Sequence, residues 1–154
     1  MLMFAPFAAT ADPFQAMSGK WSGSGWARKT TDGPQEATRC RLTNSYSATA
    51  LELRFKGKCV AAGEKLTLSG KVTRNPADAS IQGLWSNPDG LGQVKITGRH
   101  GADFILFTYR AKDPDTGQPI AQNVEWRIVD GQLQLRSVDR DQPNILMSEI
   151  FFDQ

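Results

Sequence analysis

From Leu51 to Cys59 apolar and charged residues alternate without a break, with Leu51, Leu53 and Phe55 on one side and Glu52, Arg54, Lys56 and Lys58 on the other. A period of two is the signature of a strand with one buried face. The same alternation runs through Gln35 to Asn44, where Arg39 and Arg41 flank Cys40 and Leu42, and through Lys65 to Arg74, where Leu66, Leu68 and Val72 stay in phase. It returns at Ile81, Gly83 and Trp85, at Val94 and Ile96, at Val124, Trp126 and Ile128, and at Leu133 and Leu135, before a last run from Ile145 to Phe152. Turn signals separate these runs: Thr31-Asp32-Gly33-Pro34, Asn75-Pro76-Ala77-Asp78, Asn87-Pro88-Asp89-Gly90, His100-Gly101, Asp130-Gly131 and Asp141-Gln142-Pro143-Asn144. About ten short strands with turns every 8 to 12 residues and no long helical period predict an all-β domain. A single antiparallel up-and-down barrel of about 8 to 10 strands is favoured over a sandwich. One run breaks the pattern: Phe104 to Tyr109 is apolar on both faces, which predicts a strand covered outside as well as inside.

Ahead of the strands, Asp12-Pro13-Phe14-Gln15-Ala16-Met17 combines an N-cap residue with proline at the first helical position, and predicts one short helical turn. The stretch Ser18 to Trp26 follows, with Trp21 and Trp26 separated by Ser and Gly; Gly23 and Gly25 predict a bend in a first strand that runs to about Lys29. No Lys-Ser or Lys-Thr pair and no helix follows Gly25, so this is not a phosphate loop. Residues 1–11, MLMFAPFAATA, are apolar and end in Ala9-Thr10-Ala11, which fits a small-residue cleavage site. They are expected to be the remnant of a signal peptide or a disordered extension, and residues 12–154 to form one domain.

At 154 residues, 40% apolar and 22% charged, the chain has the composition of a soluble globular domain. A net charge of +2, with Lys and Arg spread along alternating strands, describes a solvated barrel surface better than a nucleic-acid footprint. No apolar run approaches the length of about 20 that a transmembrane helix needs. Cys40 and Cys59 are the only cysteines. Facing each other across a hairpin they also bring Tyr46 opposite Leu53, a register that keeps both sulfurs on the inward face. In an exported chain the default for such a pair is a disulfide, the alternative being two buried thiols.

A short helical turn leading into Gly19-Lys20-Trp21 at the start of strand one resembles the calycins, the lipocalin and fatty-acid-binding superfamily. That resemblance implies that Trp21 packs across the closed floor of a barrel against an arginine of the last strands, Arg136 or Arg140, with Gly19 and Trp21 in structural roles. Over most of the chain, Gly19-Lys20-Trp21-Ser22-Gly23, Arg39-Cys40-Arg41, the leucine-rich strand ending at Cys59 and Gly83-Leu84-Trp85-Ser86 resemble small exported alphaproteobacterial barrel proteins of uncharacterised function. What this implies is a signal peptide, one disulfide, a calycin-like barrel, and a periplasmic or secreted location.

Candidate chemistry is sparse. His100 is the only histidine and sits in a turn, so neither a catalytic triad nor a histidine-rich metal site can be assembled, and a surface role is favoured over haem ligation. Asp32, Asp78, Asp89, Asp113, Asp115, Asp130 and Asp141 are explained by turn chemistry. Asp113 to Gly117 lacks the further carboxylates that a calcium-binding hand requires. No catalytic residue, metal or cofactor is expected. The aromatics are the better lead, and Trp85, Phe107, Tyr109 and Trp126 are the expected ligand-binding residues. The leading expectation is a non-enzymatic exported protein that holds a small apolar or amphipathic ligand, with no nucleic-acid partner. The alternative is an exported protein-interaction module such as a protease inhibitor, with a filled core and the loop Asp113 to Pro119 projecting.

Overall fold

The computed structural model describes residues 12–87 and 91–154; the expected leader segment and Pro88, Asp89 and Gly90 of one predicted turn lie outside the described residues. One helical turn, α1 (Pro13–Ala16), precedes ten strands: β1 (Gly19–Ala27), β2 (Glu36–Ser47), β3 (Glu52–Ala61), β4 (Glu64–Arg74), β5 (Ser80–Asn87), β6 (Gly92–His100), β7 (Phe104–Lys112), β8 (Pro119–Val129), β9 (Gln132–Asp139) and β10 (Leu146–Asp153). Each pairs antiparallel with the next, and β1 pairs with β10, closing an up-and-down barrel with no free edge. The fold class is the one the alternating pattern predicts.

Turn chemistry sets the register. The β3–β4 turn at Ala62 and Gly63 has φ of 51° and 76°, and the β8–β9 turn at Asp130 and Gly131 has φ of 51° and 75°. Two left-handed residues form the hairpin turn whose twist matches that of the strands it joins. In the β2–β3 ladder Cys40 lies opposite Cys59 and Tyr46 opposite Leu53, as the alternation predicts, and the two cysteines are disulfide-bonded. At the closing seam, a Cβ on Gly25 would lie 1.9 Å from the Glu149 carbonyl oxygen and one on Gly23 2.5 Å from that of Phe151. These glycines let the β10 backbone cross over β1, which is the bend expected of that stretch.

α1 closes one end of the barrel. The Asp12 carboxylate accepts the Phe14 N–H at 3.0 Å, Pro13 sits in the first turn, and Phe14 and Met17 are fully buried. The Met17 carbonyl has outrun its helix, so it is satisfied by side chains: the Trp21 indole N–H donates to it at 3.0 Å and the Asn44 amide at 2.9 Å. Trp21 is therefore the floor residue. Its expected arginine partner is not there: Arg136 lies on the outward face of β9 and pairs with Glu149 of β10 at 3.0 Å. Because Arg136 alternates with the inward Leu135 and Ser137, its guanidinium cannot reach the barrel floor. The Asp12 carboxylate also accepts the Tyr46 hydroxyl and pairs with Arg74 at 3.4 Å. The bond to Asp12, reinforced by desolvation, raises the Tyr46 pKa.

His100 departs from the turn assigned to it. It ends β6, is half-buried, and its ring lies 6.4 Å from that of Phe14 at the closed end. On β7 the outer cover that the two-sided apolar run predicts is cationic: the Arg99 and Arg127 guanidiniums lie 5.3 and 4.8 Å over the Phe104 ring.

Candidate functional site: a cavity under the open end

The inward positions divide the barrel into two levels. Near α1 they hold Leu53, Val72, Ile81, Ile96 and Ile105, all buried and packed together. Toward the other end β1, β2, β3 and β9 present Ala27, Thr38, Ala61 and Ser137, and residues this small cannot meet across the barrel. A cavity of about 230 Å³ remains there. Its apolar wall includes Leu42, Leu66, Leu68, Val124, Leu135 and Ile150. The Cys40–Cys59 disulfide spans β2 and β3 in the same wall, with both sulfurs inward as expected. A register shift between Leu146 and Ser148 brings both Met147 and Ser148 to the cavity, where the Ser148 and Ser137 hydroxyls bond each other at 2.6 Å.

An aromatic cluster makes the cavity floor. Phe55 lies between Trp85 and Trp126, with ring centroids 5.5 and 5.2 Å away. Of the four expected ligand-binding residues, Trp85, Tyr109 and Trp126 line the cavity. Phe107 does not; it is fully buried beneath Trp85, 6.0 Å ring to ring, and supports the floor from below. The alternation on β7 is right, but Phe107 stands one rung closer to α1 than Tyr109 does.

The polar atoms of the wall are the distinctive part. Trp126 is 1% exposed, and its indole N–H has no hydrogen-bond partner among the described residues. Asn87 Oδ1 and Arg28 Nε, on residues that also line the cavity, are buried and equally unpartnered. A buried donor or acceptor left unmatched costs about 1–3 kcal/mol, and three such atoms belong to residues around this one space. Burial pushes the Tyr109 phenol up to about 12. Arg28 sits at the strand end, its Nη1 donating to the Thr31 carbonyl at 3.3 Å and its guanidinium 5.2 Å over Trp26. Arg28, Thr38, Asn87 and Gln122, with Ser137 and Ser148, are the polar lining residues that sequence reasoning missed. Asn87 and Arg28 stand at strand ends, next to turns, where periodicity gives no inward signal.

Among the described residues no carboxylate and no histidine lines the cavity, and no group of three His, Cys, Asp or Glu side chains is placed to hold a metal ion. The carboxylates serve turns: Asp78 accepts the Ser80 N–H at 2.8 Å and is held below its ordinary pKa mainly by its bonds to Ser80. The Asp113 to Pro119 loop is tied to itself, with Asp113 accepting the Asp115 and Thr116 N–H groups at 2.8 and 3.1 Å. No family model matches the sequence, and comparison with curated proteins finds no significant match.

Proposed function

We propose that this protein is a non-enzymatic exported carrier or sensor that holds one small amphipathic molecule inside the barrel. The observation that carries the reading is a mostly apolar cavity lined by Trp126, whose buried indole N–H has no hydrogen-bond partner among the described residues. A volume of about 230 Å³ is below the range of drug-sized sites, and suits a guest of about ten non-hydrogen atoms. It is too small for haem, and His100 stands at the opposite end. Two unmatched donors, Trp126 Nε1 and Arg28 Nε, call for a guest with hydrogen-bond acceptors, the unmatched acceptor Asn87 Oδ1 admits a donor beside them, and the Arg28 charge disfavours a cation. The apolar wall calls for a short alkyl or monocyclic body. A calycin-like ancestry, a disulfide and the apolar leader are each compatible with a periplasmic or secreted carrier. The protein-inhibitor alternative expects a filled core and a projecting loop; the open cavity and self-bonded loop favour the carrier.

The test is calorimetric titration of octanoate, octanol and octylamine into the protein and into Trp126→Phe. Octanoate and octanol are expected to bind and octylamine not to. Trp126→Phe keeps the ring and removes the N–H, and is expected to weaken binding about tenfold. Equal affinity in the variant would detach the ligand from Trp126 and overturn the assignment.

A further inference from the structure

The barrel register gathers cations that are scattered in sequence. On the outer face of β2, β3 and β4, Arg39 lies across Val60 from Lys65, Arg41 lies opposite Lys58, and Arg54 lies opposite Lys71, with Lys56 between these rungs. Lys20 of β1 and Lys95 of β6 extend the last two rungs on either side. All are exposed except Lys71, which is half-exposed. The outward positions of these three strands hold a single carboxylate, Glu52, which pairs with Arg54 at 2.6 Å. Among the described residues, none of the other cations on this face is paired with a carboxylate. Like charges directly opposite each other across strands destabilise a sheet, and this face carries two such pairs. On the far wall the arrangement is the reverse, with Arg127 joined to Glu125 and Asp103, and Arg136 to Glu149. Unpaired cations are thus most densely set on β2 to β4.

We propose that this face docks the protein on an anionic phospholipid bilayer. The cations fill an area of about 10 by 20 Å across three strands, judged from strand spacing and rise, which matches a charged plane better than a single thread. Thr43, Ser45, Ser69 and Ser86 lie between them around a shallow groove and offer hydroxyl donors to phosphate oxygens. Tyr46 and Trp85 point inward, and Phe55 reaches the groove only from beneath Gly70 and is 3% exposed, so the face has no platform on which bases or sugar rings would stack. Val60, 44% exposed, is the one large exposed apolar residue on it, and adsorption is therefore electrostatic.

Co-sedimentation with vesicles tests this independently of any cavity ligand. The protein is expected to partition onto vesicles of phosphatidylglycerol mixed with phosphatidylcholine, not onto phosphatidylcholine alone, and to be released as salt rises. Replacing Arg41, Lys56 and Lys58 together with Gln is expected to lower partitioning about a hundredfold, at about fivefold per cation. A matched triple replacement of Arg110, Lys112 and Arg140 on the other side is expected to leave it unchanged, and circular-dichroism melts confirm that both variants fold. Equal binding to both vesicle types, or equal loss in both triple variants, would overturn the proposal. So would binding to a heparin fragment or single-stranded DNA without binding to anionic vesicles, which would make the face a soluble-polyanion site.

Discussion

Trp21 ties α1 to the barrel together with Asn44, Tyr46 and Arg74, and it is the one of the four that is also a buried floor residue of large apolar volume. Its ring is buried under α1 and its N–H satisfies a helix-end carbonyl that no backbone group reaches. Trp21→Ala is expected to lower unfolding free energy by about 3 to 5 kcal/mol, read by urea denaturation; an unchanged midpoint would contradict the floor role. Tyr109 is a different case, a phenol in the cavity wall whose pKa burial raises to about 12 from its ordinary value of 10.0. The folded state holds the Tyr109 proton more tightly than the unfolded chain. The stabilisation this represents is fully present below pH 10.0 and is lost as the pH rises through about 12. Stability measured across that window is expected to fall less steeply in Tyr109→Phe than in the parent protein, with the shifted Tyr46 common to both. Identical slopes would show that the phenol is not buried as described.

At the scale of elements, the β2–β3 hairpin is fixed twice, by its inward alternation and by the disulfide. The bridge closes a separation of 19 residues. Replacing both cysteines with Ala is expected to cost about 3 kcal/mol by chain entropy, with the same strand pairing retained. The measurement is a melt of the double variant beside the parent, with far-ultraviolet circular dichroism to follow the barrel. Strand identity was legible because each strand has one buried face, and the hairpin register because Cys40, Tyr46, Leu53 and Cys59 share a phase. Less legible were features that depend on which rung a residue occupies. Phe107 and Tyr109 are in phase, but only the packing of α1 from the opposite end decides which one floors the cavity and which one lines it. Arg136 is a different case: its phase against Leu133 and Leu135 already points it outward, and only the resemblance placed it at the floor. The serine pair 137 and 148 was invisible, because the register shift that brings Ser148 inward has no marker in the local alternation.

At the scale of the whole molecule, the barrel has one end packed by α1 and one end left open by small side chains, with a basic flank along β2 to β4. The cationic face escaped the sequence reading because its members sit on separate strands and only the closed register brings them side by side. The cavity and the basic face make separate predictions, since octanoate binding in solution does not require a bilayer. The most direct test of the carrier reading is a tryptophan-fluorescence titration with octanoate, because Trp85 and Trp126 both line the cavity. A saturable, one-to-one change in emission is expected, weakened in Trp126→Phe and abolished when Ser137→Leu and Ala61→Leu fill the space. A flat titration in the parent protein across short-chain acids and alcohols would contradict the account.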